Sequence, residues 1–181
     1  MGVPVPHTPH WELPHVRQPL PAHHPRRRLP HTPAPKDPAR LAYSFTVPGE
    51  PRSAGVARSS VRTALQAHGL GNLVEPATQI MGELVACGGR FAPGQDLYYS
   101  LCWRDGILRL VNWDPHHSHS NPDLAATCTS RRKRMLMLVA CVVHECGGTW
   151  GIADPKPASE GTTVWANLPQ AGAVAYTARR D

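Results

Sequence analysis

Eleven of the 20 prolines in this chain fall within residues 1–40, and that asymmetry decides where a packed domain can form. The same stretch holds six of the 11 histidines and few apolar side chains. Proline fixes its own φ, removes a backbone donor and pushes the preceding residue toward extended conformations. A segment of this kind buries too little apolar surface to offset the entropy of ordering it, which predicts a disordered, partly polyproline tail over residues 1–41. The fold is then confined to residues 42–170, enough chain for a real hydrophobic core, with residues 171–181 as a C-terminal tail.

Charge follows the same division. Residues 1–40 carry six Lys/Arg against two Asp/Glu, so most of the formal charge of +6 belongs to the tail, with Arg26-Arg27-Arg28 its densest part. A flexible basic tail can touch nucleic acid, an acidic protein or a membrane surface without specificity, and the plainer alternative is a solubilising tail of no set role. The start has no charged segment followed by an apolar run, and the longest apolar run, Met135 to Val143, is nine residues against the roughly 18 needed to cross a bilayer. Neither a leader nor a membrane partner is expected. Five cysteines (87, 102, 128, 141 and 146) form an odd set without short paired spacing, which predicts reduced thiols and a cytoplasmic protein.

Periodicity orders the rest. Leu41 to Val47 alternates as a short strand, and Ser53 opens a helix to about His68, with Val56, Ser60, Val61, Ala64, Leu65 and His68 on one face. A second helix starts near Glu75-Pro76 and carries Ala77, Ile80, Met81, Leu84, Val85 and Gly88 at helical spacing, until Gly88-Gly89 ends it. Asp96 to Trp103 and Ile107 to Trp113 flank Arg104-Asp105-Gly106 as a hairpin. Asp114 to Ser130 reads as a long loop, Arg131 to Cys146 as a third helix, and Trp150 to Ala153 and Thr163 to Leu168 as two further strands. No internal repeat is visible. The order predicts an α+β fold, a two-layer α/β sandwich with one mixed sheet and helices packed on one face.

Six segments in this order carry a resemblance: Phe45-Thr46-Val47-Pro48-Gly49, Val56-Ala57-Arg58, Gly82-Glu83-Leu84-Val85-Ala86-Cys87-Gly88-Gly89, Val111-Asn112-Trp113-Asp114-Pro115, Arg134 to Val139, and Gly161-Thr162-Thr163-Val164-Trp165. Together they resemble the nucleotide-binding boxes of the GHKL ATPase fold, in the small form used by bacterial anti-sigma factor serine kinases. The resemblance implies a Bergerat-type ATP-binding fold with ATP as cofactor. It implies that Glu83 is the general base, that Asp114 accepts a hydrogen bond from the adenine amino group with Thr163 in support, and that Gly161 lies in the last box.

Two boxes depart from the family pattern. The helix motif Glu-x-x-x-Asn places two side chains on one face, the asparagine as a Mg²⁺ ligand, but here Cys87 stands at the asparagine position. Mg²⁺ wants oxygen ligands, so a thiol is a poor substitute and Cys87 reads as a small packed apolar residue; no metal ligand set is expected there. The Gly-Arg-Gly-Leu run that brings backbone amides to phosphate is replaced by Lys133-Arg134-Met135-Leu136. Arg131, Arg132, Lys133 and Arg134 then stand at the start of the expected third helix, where the macrodipole is already positive, which points to a bound anion, an acidic partner or a salt-screened cap. His116, His117 and His119 with Cys128, or His144 with Cys146, invite a metal reading, yet without a short Cys-Cys pair no closed zinc site is expected. Trp103, Trp113, Trp150 and Trp165 fall in expected strands as core or sheet-surface residues.

Three functions follow. The first is a regulator of the anti-sigma kinase-like group with weakened or lost Mg-ATP catalysis, acting by binding a sigma factor or anti-sigma antagonist protein, or pairing as a homodimer. The second is a working ATP-dependent serine/threonine kinase. There Glu83 is the base, Asp114 and Thr163 read adenine, and the four cations at 131–134 hold phosphate. The third is a nucleic-acid-associated protein working through its basic tail.

Overall fold

The computed structural model describes residues 37–117, 119–153 and 161–180. The proline-rich segment lies outside the described residues up to position 36. From there the chain makes a short 3-10 turn at Pro38–Arg40, and Leu41 is already buried.

Among the described residues five strands and five α-helices follow: β1 (Ala42–Pro48), α1 (Ser53–Ala67), α2 (Val74–Phe91), β2 (Asp96–Arg104), β3 (Ile107–Asp114), α3 (Pro122–Met135), α4 (Met137–Glu145), β4 (Thr149–Ala153), β5 (Thr162–Pro169) and α5 (Gln170–Ala178). The strands form one open sheet in the order β1-β2-β3-β5-β4. The expected mixed sheet is corrected: all four pairings are antiparallel. β5 enters between β3 and β4 and runs against both, so strands that share a direction are never neighbours. The hairpin of β2 and β3 turns at Asp105-Gly106, both at positive φ (52° and 78°), as a two-residue type I′ turn requires.

Period-2 alternation makes one face of the sheet apolar. Leu97, Tyr99 and Leu101 of β2, Leu108 and Leu110 of β3, and Val164, Ala166 and Leu168 of β5 are buried, while their sequence neighbours are half-buried or exposed. α2 covers that face, buried along Ala77, Ile80, Met81, Leu84 and Val85 and touching β2, β3 and β5. α1 packs on α2 through Ala57, Val61, Ala64 and Leu65, and Val56, expected on that face, is exposed instead. Each fully buried Leu or Ile contributes about 1.5–3 kcal/mol, so this seam holds the two layers together. The arrangement is an α+β fold compatible with a two-layer α/β sandwich.

Several element boundaries differ from expectation. Gly88-Gly89 does not end α2, which runs on to Phe91. A Cβ on Gly88 would sit 2.8 Å from Asn112 Nδ2, and one on Gly89 would sit 3.4 Å from the Gly49 backbone, so these glycines permit close approach. The expected loop from Asp114 to Ser130 contains most of α3, and the expected single helix from Arg131 is divided at Leu136 into the end of α3 and all of α4. The residues expected as a C-terminal tail instead form α5 as far as Ala178, with Ala173 and Tyr176 buried.

Candidate functional site

β3 ends on Asp114, whose place in the strand points its carboxylate to the buried face alongside Leu108, Leu110 and Asn112. The carboxylate is 0% exposed and is held by Arg132, itself 3% exposed, through Nη1–Oδ2 at 2.5 Å and Nη2–Oδ1 at 3.1 Å. The His116 backbone N–H donates to the same Oδ1 at 3.2 Å, and the Arg132 guanidinium lies 3.9 Å from the Phe91 ring centroid. A bidentate pair of this kind is the geometry that best offsets the cost of burying two charges. Its partners come from opposite ends of the fold's middle segment: Asp114 from the central strand, Arg132 from the last full turn of α3.

The cationic run at 131–134 therefore needs a different account from the one given by sequence. It does not open a helix; Arg132, Lys133 and Arg134 lie in the last turn of α3, where positive charge complements the macrodipole. The helix starts at Asn121, whose side chain accepts from the Asp123 and Leu124 backbone amides at 2.9 and 3.2 Å, with Pro122 in the first turn. Within the run the four cations separate. Arg132 is buried on Asp114, Arg131 lies 5.9 Å from the Phe91 centroid, and Lys133 and Arg134 are exposed.

The other site residues are divided between two places. Glu83 and Cys87 lie one turn apart on α2 and line an open cleft of about 440 Å³ with Arg131 and Arg90. Cys87 is buried; burial pushes its thiol up to about 11, against the opposing charge of Arg132, so it is protonated near neutral pH. Gly161, at φ 117°, packs against the end of β3, where a Cβ would come within 2.6 Å of both the Asp114 carbonyl oxygen and Trp113 Nε1. Thr163 pairs with Trp113, and so falls on the sheet face opposite Asp114. Thr162 is the threonine registered with Asp114, and its hydroxyl donates to the His116 carbonyl at 3.1 Å.

One feature escaped sequence reasoning, and a second was weighed there and set aside. Asn112 is fully buried, and neither amide atom has a hydrogen-bond partner among the described residues. The signal was present as an amide at an inward position of β3, in line with Leu108, Leu110 and Asp114. His116, His119 and Cys128 also converge, because α3 turns back over the end of β3. A separate groove of about 660 Å³ between β1 and α1 is lined by Tyr43, Phe45, Val56, Gly55 and hydroxyl or alanine side chains. Its lining residues include no carboxylate, cation, histidine or cysteine.

No protein-family model matches this chain, and no curated protein matches it. Asp114 has its carboxylate engaged by Arg132, and the cysteine on α2 is a buried thiol. The Arg132–Asp114 pair ties the last turn of α3 to the end of β3. Among the described residues no helix is long and apolar enough to cross a membrane.

Proposed function

We propose that this chain is a regulatory protein of the anti-sigma factor kinase-like type, built on a GHKL-related nucleotide fold, that acts by binding a sigma factor or an anti-sigma antagonist rather than by phosphorylating it. The observation that carries this reading is the Arg132–Asp114 pair. On the family resemblance Asp114 is the carboxylate that would read adenine, and Arg132 already engages both of its oxygens. Cys87 supports the same reading from the metal side, because a protonated thiol offers Mg²⁺ none of the oxygen donors it prefers. ATP remains a ligand of this pocket only where α3 lifts and Arg132 leaves Asp114.

Titration of the purified protein with ATP, with and without Mg²⁺, tests the proposal. Binding is expected to be weak and indifferent to Mg²⁺, and Cys87→Asn alone is expected to leave it so, since Arg132 still covers Asp114. Affinity purification from the native cell is expected to recover a sigma-type or antagonist protein whose serines are not phosphorylated on adding ATP. Tight, Mg²⁺-dependent ATP binding with phosphate transfer to a serine of the recovered partner would instead establish the kinase, with Glu83 as its base.

A further inference from the structure

We propose that His116, His119 and Cys128 form a binding site for one zinc-class divalent cation, which clips α3 to the end of β3. The three side chains come from separate places in the sequence: His116 two residues beyond β3, His119 just before the Asn121 cap, and Cys128 inside α3. Reversal of the chain at that cap brings them together. His119 Nε2 lies 3.0 Å from Cys128 Sγ, His116 Nε2 lies 3.7 Å from the same sulfur, and all three ligand atoms fall within 4.8 Å of one another. Zinc bonds of about 2.3 Å to sulfur and 2.0–2.1 Å to nitrogen, at tetrahedral angles, set sulfur and nitrogen about 3.6 Å apart. The two measured edges bracket that value, so small side-chain rotations complete the site.

Donor chemistry narrows the ion. One sulfur and two imidazoles, with no carboxylate among the converging groups, favour zinc or another thiophilic transition metal over Mg²⁺ or Ca²⁺. Binding transfers the Cys128 thiol proton to solvent and leaves a thiolate on the metal. Three protein ligands leave a fourth tetrahedral position for a water, and the three side chains line a cavity of about 70 Å³ together with Thr129, Thr162 and the Asp114-paired Arg132. All three ligands are half-buried, and the Phe91 ring meets His116 edge-on at 5.1 Å, which restrains that imidazole.

The position of the site gives it a consequence. Cys128 and Arg132 are four residues apart on α3, so they share one face of that helix. A cation joining Cys128 to His116 holds down the same helix face that carries Arg132 to Asp114. The site stands apart from the nucleotide reading and does not need it to be right.

Cobalt(II) titration of the full-length, reduced protein tests the proposal, because a cobalt–thiolate bond gives a near-ultraviolet charge-transfer band that histidine alone does not. One equivalent of Co²⁺ is expected to produce that band with the intense visible bands of tetrahedral cobalt, and one equivalent of Zn²⁺ to abolish both. Cys128→Ser is expected to lose the charge-transfer band completely, and His119→Ala to lose the tetrahedral bands, each with an unchanged far-ultraviolet circular dichroism spectrum. Six histidines fall within residues 1–36, so cobalt binding without the thiolate band would reveal those alone and overturn the proposal. Retention of the band in Cys128→Ser would overturn it equally.

Discussion

Arg132 and Asp114 each remove a full charge from water, and each is tolerable only because of the other. Deleting one partner leaves an uncompensated charge in the core. Arg132→Ala is therefore expected to lower unfolding stability by about 3–5 kcal/mol, read from urea denaturation midpoints. The double change Arg132→Met with Asp114→Leu removes both charges at similar volume and is expected to recover most of that loss. A single variant costing less than about 1 kcal/mol would mean that Asp114 is hydrated rather than sealed by the arginine. Nothing in the sequence marks this pair: positions 114 and 132 lie 18 apart, and three other cations compete for the same role. The family resemblance singles out Asp114 as an adenine ligand; neither it nor the local pattern marks the arginine that Asp114 pairs with.

At the scale of the element, α3 is what turns a strand end into a site. Its boundaries rest on the Asn121 cap, which satisfies two of the backbone amides left open at the helix start. Asn121→Ala is expected to cost about 1 kcal/mol and to speed amide hydrogen exchange in the first turn of α3, leaving the exchange of α2 and β3 unchanged. Equal acceleration across the sheet would show that α3 does not open by itself. Asn121-Pro122-Asp123 is a legible start signal: a capping side chain, proline where no amide is needed, and an acid in the first turn. It is masked by a polar neighbourhood rich in His, Ser and Thr that reads equally as loop. α1, α2 and the β2–β3 hairpin were legible because their apolar residues recur at one clear period. Gly88-Gly89 misled because glycine serves both to end helices and to let backbones approach, and only the neighbours Asn112 and Gly49 reveal which.

Across the whole molecule, pH stability follows from what the two layers enclose. Burial raises both Cys87 and Cys146 from 9.0 to about 11, opposed by the charges of Arg132 and Arg179 respectively. Burial moves Tyr99 upward as well, against its hydrogen bond with Ser60. Below pH 9 these thiols are protonated whether the chain is folded or not, and their contribution is fully present. As pH rises from 9 toward 11 the unfolded chain ionises first, so stability falls through that window. Denaturation midpoints measured from pH 8 to 11 are expected to decline, and Cys87→Ala with Cys146→Ala is expected to flatten the slope even where it lowers the starting value. An unchanged slope would assign the decline to other groups.

Local pattern alone determined that the domain is α+β and that two amphipathic helices precede a hairpin. Those conclusions rest on side-chain periods and turn residues, interactions between positions a few residues apart. Tertiary structure decided that every strand pairing is antiparallel, that Arg132 alone of the four cations is buried, and that two histidines meet a cysteine. Each of these depends on where the chain returns after α3, and that path is set by the burial of Leu136, Val139, Val142 and Val143 against the rest of the core, not by any residue within reach of Asp114 along the sequence.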